Sequence, residues 1–541
     1  EIEEIQVLQG TDMLKYGPAI GGTIILKSYF PEFTESKKYG FGYNTVFQSN
    51  PAGNNHFFNS FYSSKKLALR ISGGYSNFGD YTSGSGEKFK TSFKKFNTTI
   101  KSGFKITDNQ IIKLQMIGSF AKDVMFPALP MDEKKDNTYI ANLSYHLINN
   151  DNSNIKISVY HSNVEHLMDN SFRPQFTTIV PPLTGIMQAF SNVDAYNTGG
   201  NISYETKWKN IKLTSKAEFE HIYKDGTRKR SMIMNMSGIT TVSTKFDNLW
   251  NQANIYNSAV SLSATREIDK NNIIESVIRI DNSINYSSDT FGLKQDDVSL
   301  FDKSRNSNTS LSLGIQYIYK TGNFTILTGL SRSIRNANMN ELYIKRLVIG
   351  FDNYDYLGNP FLKPETNNQA DIRFNFNNKR VNLQLNGFYD YIQNYIGGVL
   401  LPSSLINPAT QGVLGVKQFK NKGDAIFTGG ELSSSFALRK NILLNFSLGY
   451  TYAFIKKDEK YIINKGQITG KVLVENDPLP EIPQLSSSAD IQYFFNRNLS
   501  KLYFKLNYLM SQNTVSEANY EKTTPSSVTM DVELQHQLKK F

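Results

Sequence analysis

Hydrophobic and polar positions alternate with a period of two along most of the 541-residue chain, and the 3.6-residue helical period is almost nowhere present. Tyr39, Phe41, Tyr43, Thr45 and Phe47 fall on one face, with Gly40, Gly42, Asn44 and Val46 on the other. Ile112, Leu114, Met116 and Phe120 oppose Lys113, Gln115 and Ser119, and Ile155, Ile157 and Val159 oppose Lys156, Ser158 and Tyr160. Alternation of this kind predicts strands with one apolar and one polar face. Crossing a bilayer at a tilt takes roughly 9–11 such residues.

The punctuation between strands is asymmetric. Short Asn/Gly/Lys/Asp clusters, which favour tight reversals, occur at 63–66, 107–109, 149–154, 208–210, 269–272, 320–323, 377–380, 439–441 and 496–498. Between them lie polar stretches rich in Gly, Ser, Asn and Asp, such as 122–137, 169–194 and 224–247, which predict long loops. Tight turns at one end and long loops at the other describe an all-β, transmembrane antiparallel β-barrel. Two strands precede the first turn and each of the nine turns adds one ascending and one descending strand, which predicts about 20. Val528 to Phe541 is then a descending strand ending on the periplasmic side. A solenoid or propeller would repeat a residue motif at a fixed period, and none is present. A large soluble multi-sheet protein is the remaining alternative.

Composition narrows the class. Mean hydropathy is −0.40, and no apolar run reaches the roughly 18 residues of a membrane helix. A helical membrane protein is therefore excluded, whereas a barrel, apolar only at alternate positions, is not. Cysteine is absent, so there is no disulfide, thiolate metal site or cysteine nucleophile. Tyr (30) and Phe (36) supply nearly all the aromatics, as expected of girdles at the headgroup level. The net charge of +11 is spread along the chain rather than clustered, which argues against a nucleic-acid partner.

Methionine is the one residue with a biased distribution. Eight of the 12 lie between Met116 and Met236. Met125 and Met131 fall in the third outer loop, Met168 and Met187 at or in the fourth, and Met232, Met234 and Met236 in the fifth. Thioether sulfur suits Cu(I), and imidazole suits copper in either state. His166 and Met168, two apart, share the face of Lys156, Ser158 and Tyr160, which should be the lumen. The competing reading is structural: methionine fills irregular gaps, and a lone histidine is more often a hydrogen-bonded polar residue. Met232, Met234 and Met236 share a face only if that loop is extended. His161, five residues before His166, falls on the opposite face, and His56, His146, His221 and His536 carry no assigned role.

Four segments carry a family resemblance. Residues 1–32, through Ile5, Val7, Leu8, Gly10, Tyr16, Gly17, Gly21, Gly22 and Ile24, resemble the end of the plug domain of TonB-dependent receptors, with Thr11 in place of the usual proline. Residues 358–366, from Gly358 through Lys363, Pro364 and Glu365 to Thr366, resemble the family's G-N-P-x-L-K-P-E segment, with an N-E-L-Y at 340–343 just upstream. Pro480 to Gln484 is similar to its L-P-x-x-P. The resemblance implies residues 1–32 as the C-terminal part of a plug and 33–541 as barrel, in a family whose barrels have 22 strands. Most of the plug and the last two strands are then expected to be missing, making the chain a segment of something longer. It also implies the outer membrane of a Gram-negative bacterium, with its lipid and lipopolysaccharide. The expected role is active uptake of a scarce ligand, energised by TonB–ExbB–ExbD.

The ligand is left open among siderophores, haem, cobalamin, glycans and metal ions, with the chain too short for the large glycan-importing members. Two further segments resemble the copper-receptor branch: 164–170, with its H-x-M-D-N, and 126–132, which is similar to Y/F-P-A-L-x-M-D. On that resemblance His166 and Met168 inherit the barrel half of a copper site whose other half, a Cys-x-x-x-Met, belongs to plug sequence outside residues 1–541. Copper is the expected cargo, an iron complex the alternative, and no obligatory cofactor is implied.

An enzyme is not expected. The chain has no GxxxxGK[ST], G-x-S-x-G or His-Glu-x-x-His motif, since Glu165 and His166 run in the wrong order. His166 and Asp169 would be the residues of a barrel hydrolase, but the family motifs argue for transport. A structural or adhesive barrel would need no inward His-x-Met pair.

Overall fold

The computed structural model describes residues 2–538 apart from 150–152, 174–175, 181–182, 237–238, 289–293, 296–297, 300–304, 351, 411 and 465–466. One antiparallel sheet of 22 strands rolls into a barrel. Two of these, Phe176–Val180 and Gln467–Pro478, are one-sided flaps on the outer ends of longer strands. Twenty strands remain, from Lys38–Ser49 to Ser527–His536, each registered with its sequence neighbour among them. Among the described residues the first pairs only with Ala52–Ser63 and the last only with Ser500–Leu509, so no register joins the barrel's two ends.

The barrel inverts the burial pattern of a water-soluble protein. On Asn272–Tyr286 the outward Ile278 and Ile280 are 43% and 50% exposed, while the alternate Arg279 and Asp281 are buried at 3% and 5%. On the neighbouring strand Leu311, Leu313 and Ile315 face out, and Ser310, Ser312 and Gln316 face in. Apolar outside and polar inside is the arrangement that lipid demands. Ring pairs mark both rims of this band: Tyr196 stacked on Tyr223 (4.6 Å) and His221 on Tyr256 (4.2 Å) toward the outer side, and Phe324 tilted against Phe376 (4.8 Å) at the inner turns.

Each of the nine predicted tight turns coincides with an inner reversal or, at 149–154, brackets one whose centre lies outside the described residues. The outer side differs from the prediction. The first outer connection is only Asn50 and Pro51. The stretch 224–247 is a ribbon rather than an irregular loop, because Ile211–Met236 and Ile239–Glu267 continue as paired strands of 26 and 29 residues. The run Thr240, Thr241, Val242, Ser243 and Thr244 is rich in strand-forming residues, and its polarity disguises it.

Residues 2–28 lie inside the barrel. Ile2–Leu8 and Thr23–Ser28 pair as a small antiparallel sheet, joined through a 3₁₀ turn at Gly10–Lys15. Met13 and Leu14 in that turn are fully buried against Val277 of the wall. Lys15 Nζ is 2.8 Å from both Asp12 and Glu275, and Asn367 Nδ2 donates to Ile20 O at 2.8 Å. Gly10, at φ +59°, has no room for a side chain because Asp371 occupies the space a Cβ would take.

Candidate ligand-binding cavity beneath the outer segments

The outer segments after Arg335 fold inward and roof the lumen. A short helix, Met339–Tyr343, is capped by Asn338 and Glu341 in a reciprocal box. Glu341 also pairs with Arg335 at 2.9 Å, and Arg335 Nε donates to the buried Glu365 at 2.6 Å. Gly358 runs so close to the helix that a Cβ would lie 2.4 Å from Leu342 O. Asn359 Nδ2 donates to Phe419 O, and Glu365 Oε1 accepts from Ile396 N. The two segments singled out by resemblance therefore lock one roof together, and neither contributes a residue to the lining of the cavity described below. Their apolar core joins Leu342, Tyr343 and Tyr356 to Leu249 and Trp250 of the barrel wall.

Beneath this roof, against the wall, is a cavity of about 450 Å³. Met131, Met168 and Met187 line it together with His166, and Lys224, Arg228, Arg230, Leu249 and Trp250 close another part of its wall. Its position follows from strand parity. In Ser153–Asp169 the odd residues Ile157 and Val159 face out, so Val164, His166 and Met168 face in, and all three line the cavity. Register then carries Met168 opposite Ser191 of Leu183–Trp208, whose inward positions include Met187, Ala189, Ser191 and Val193.

Two side-chain clamps hold the methionines. Asp132 accepts from Phe126 N at 3.0 Å and from Arg173 Nε at 2.8 Å, closing the 125–131 loop so that Met131 is buried. Asn170 accepts from Ala189 N at 3.0 Å and donates to Met187 O at 2.9 Å, stitching the strand that carries Met187 to the one that carries Met168. His166 Nδ1 lies 3.0 Å from Asp136 Oδ2 and 3.7 Å from Glu133 Oε2. A carboxylate only accepts, so Nδ1 carries the proton in the neutral ring and Nε2 keeps its lone pair. That is the arrangement in which an outer carboxylate orients a metal-binding imidazole. Burial pushes the Glu133 carboxyl above its ordinary range, against the pull of His166.

The sequence pairing of His166 with Met168 is thus a shared position on one cavity wall. Met232 is paired directly with Met187 and Met234 with Gly185, so the fifth-loop run is extended, but Met232 and Met234 do not line the cavity. The side chain of Met236 lies outside the described residues. His161 faces away, with Nδ1 2.7 Å from Thr198 Oγ1. Sequence reading missed Glu133, Asp136, Lys224, Arg228 and Trp250. A signal for two of them existed, since Lys224, Arg228 and Arg230 occupy even positions of one alternating run.

The fold agrees with the comparisons. A family model described as TonB dependent receptor-like, beta-barrel, matches residues 27–540, and the chain belongs to that family. No curated protein matches it. Among solved structures, the copper transporter OprC superposes with a TM-score of 0.79 at 17% identity, over 100% of this chain and 78% of that one. The siderophore receptor PiuA from Acinetobacter baumannii gives 0.71 at 12% identity, over 100% and 80%. The FrpB iron transporter from Neisseria meningitidis gives 0.68 at 14%, over 98% and 80%. At these identities the likeness concerns the fold.

Proposed function

We propose that the protein is an outer-membrane receptor and transporter of a Gram-negative bacterium that takes up copper. The observation that carries this reading is the convergence of one imidazole and three thioethers, from His166, Met131, Met168 and Met187, on a single cavity wall. Soft sulfur donors with an imidazole select Cu(I) over the harder divalent ions. His166 Nε2 and the Met168 thioether are the barrel's ligands, and Met232, Met234 and Met236 are a weaker second set on the ribbon above. Residues 2–28 act as the part of a plug that fills the lumen, and TonB–ExbB–ExbD supply the energy, since a barrel has no source of its own. Two further strands between the unjoined ends would complete the barrel. The protein is a transporter and not an enzyme.

A second reading, uptake of an iron complex, is favoured by one feature. Glu133, Asp136 and His166 place three donor atoms within 4.8 Å of one another, a harder set than the methionines. Metal content of the purified receptor after Cu(I) loading, wild type beside His166→Ala/Met168→Ala, decides between them. Near-stoichiometric copper that the double variant loses supports the copper reading. Copper-free wild type, with iron retained, overturns it in favour of the second.

A further inference from the structure

The wall that carries the methionines is only part of the cavity, and the remainder has the opposite chemical character. Lys224, Arg228 and Arg230 project from alternate positions of one strand into the same space. Arg228 is 2% exposed; among the described residues its Nε has no hydrogen-bond partner, and Nη2 has only Asp247 Oδ2, at 3.5 Å. Arg230 Nε and Trp250 Nε1 are likewise buried without a hydrogen-bond acceptor, and Trp250 is 4% exposed. Buried donors are nearly always satisfied, so three of them without any acceptor among the described residues, on one cavity, are informative.

The charges do not balance either. Asp247 serves Arg228, Arg230 and Arg346 at once, at 3.5, 2.5 and 3.5 Å. Asp355, the other carboxylate acting on Arg228, spends its Oδ2 on the backbone amides of Ala409 and Thr410. Lys224 stacks on the Trp250 ring at 3.7 Å and reaches Asn340 at 3.5 Å, with no carboxylate in ion-pair range among the described residues. Burial pushes its amine down to about 8, so at neutral pH it still carries a charge that no carboxylate among the described residues neutralises. Such a surface repels a bare metal cation and attracts an anion.

We infer that Lys224, Arg228 and Trp250 form an anion seat, and that the cargo enters as a compact metal complex bearing a carboxylate-type ligand. The metal faces His166 and Met168, and the anionic part of its ligand faces Lys224 and Arg228. This inference rests on the proposed metal-uptake reading but concerns different residues. At about 450 Å³ the cavity has room for a small chelate.

The test uses citrate as the anion. The protein has two tryptophans, and Trp208, 63% exposed at the inner rim, can be replaced by Phe so that Trp250 reports alone. Metal-free Trp208→Phe receptor in detergent should show a saturable change in Trp250 emission on titration with citrate. Lys224→Gln and Arg228→Gln should each weaken it by about tenfold or more, the loss expected for one charged hydrogen-bonding partner. Lys224→Gln guards against misfolding of the more deeply buried Arg228 variant. Absence of saturable binding, or binding that neither basic variant alters, overturns the anion seat. Copper bound without any citrate response would remove the seat and keep the copper reading; citrate bound with no copper under any condition would do the reverse.

Discussion

His166 and Asp136 lie on adjacent strands, and their contact at 3.0 Å fixes which imidazole nitrogen faces the cavity. The register that pairs Asp136 directly with His166 makes this contact a consequence of the sheet rather than of a loop. Asp136→Asn should therefore keep the ring in place but loosen control of its tautomer. We expect copper affinity to fall by about 10–100-fold, the usual effect of an outer-shell partner, with His166→Ala costing more. Competition against a chromogenic Cu(I) chelator measures both, and equal affinities for wild type and Asp136→Asn would refute the assignment.

The roof can be tested separately from the ligand. Glu365, 2% exposed, accepts from Arg335 and from Ile396 N. Glu365→Ala leaves both donors without that acceptor, and breaking a buried pair in this way costs about 3–5 kcal/mol. Limited proteolysis should then cut within 339–421 while the barrel keeps its heat-modifiable migration in gels. Resistance equal to wild type would show that Glu365 does not hold the roof.

The attachment of the lumenal segment is local. Lys15 bridges Asp12 to Glu275 of the wall, and Gln316 Nε2 reinforces Glu275 at 2.6 Å. Removing one partner of a charged hydrogen bond costs about 1–3 kcal/mol. Glu275→Ala should accordingly speed amide exchange across residues 10–16 by about 10–100-fold, with the wall strands unchanged. Hydrogen exchange with mass spectrometry reads this directly, and unaltered protection at Met13 and Leu14 would refute the tether.

Lys224 gives a pH signature. It lies one residue beyond the outer aromatic rim at Tyr223, outside the lipid-facing band. Its amine sits near 8 when folded, against an ordinary 10.5. Between those values the unfolded chain binds more protons than the folded one, so Lys224 makes stability rise with pH across that window. The affinity for citrate should fall as pH rises past about 8, because the lysine loses its charge, and Lys224→Arg should abolish that fall. A flat citrate affinity from pH 7 to 9.5 in wild type would contradict it.

Alternation and turn chemistry were enough to specify the barrel, because a membrane imposes a two-residue period on every crossing strand and short reversals need particular residues. For the same reason the inward direction of His166 and Met168 was legible from Ile155, Ile157 and Val159 alone. The polar Thr/Ser/Val composition of the ribbon at 224–247 resembled loop, and only cross-strand pairing showed it to be strand. The segments 339–343 and 358–366 were recognisable, yet their role as a locked roof depends on Gly358 meeting the Leu342 carbonyl, a contact between parts of the chain that the sequence holds apart. Met131, Met168, Met187 and His166 come from a loop and two strands. Their meeting with Lys224, Arg228 and Trp250 was decided by barrel curvature and inward-folding outer segments, because a one-dimensional pattern fixes which face a side chain takes but not what stands opposite it.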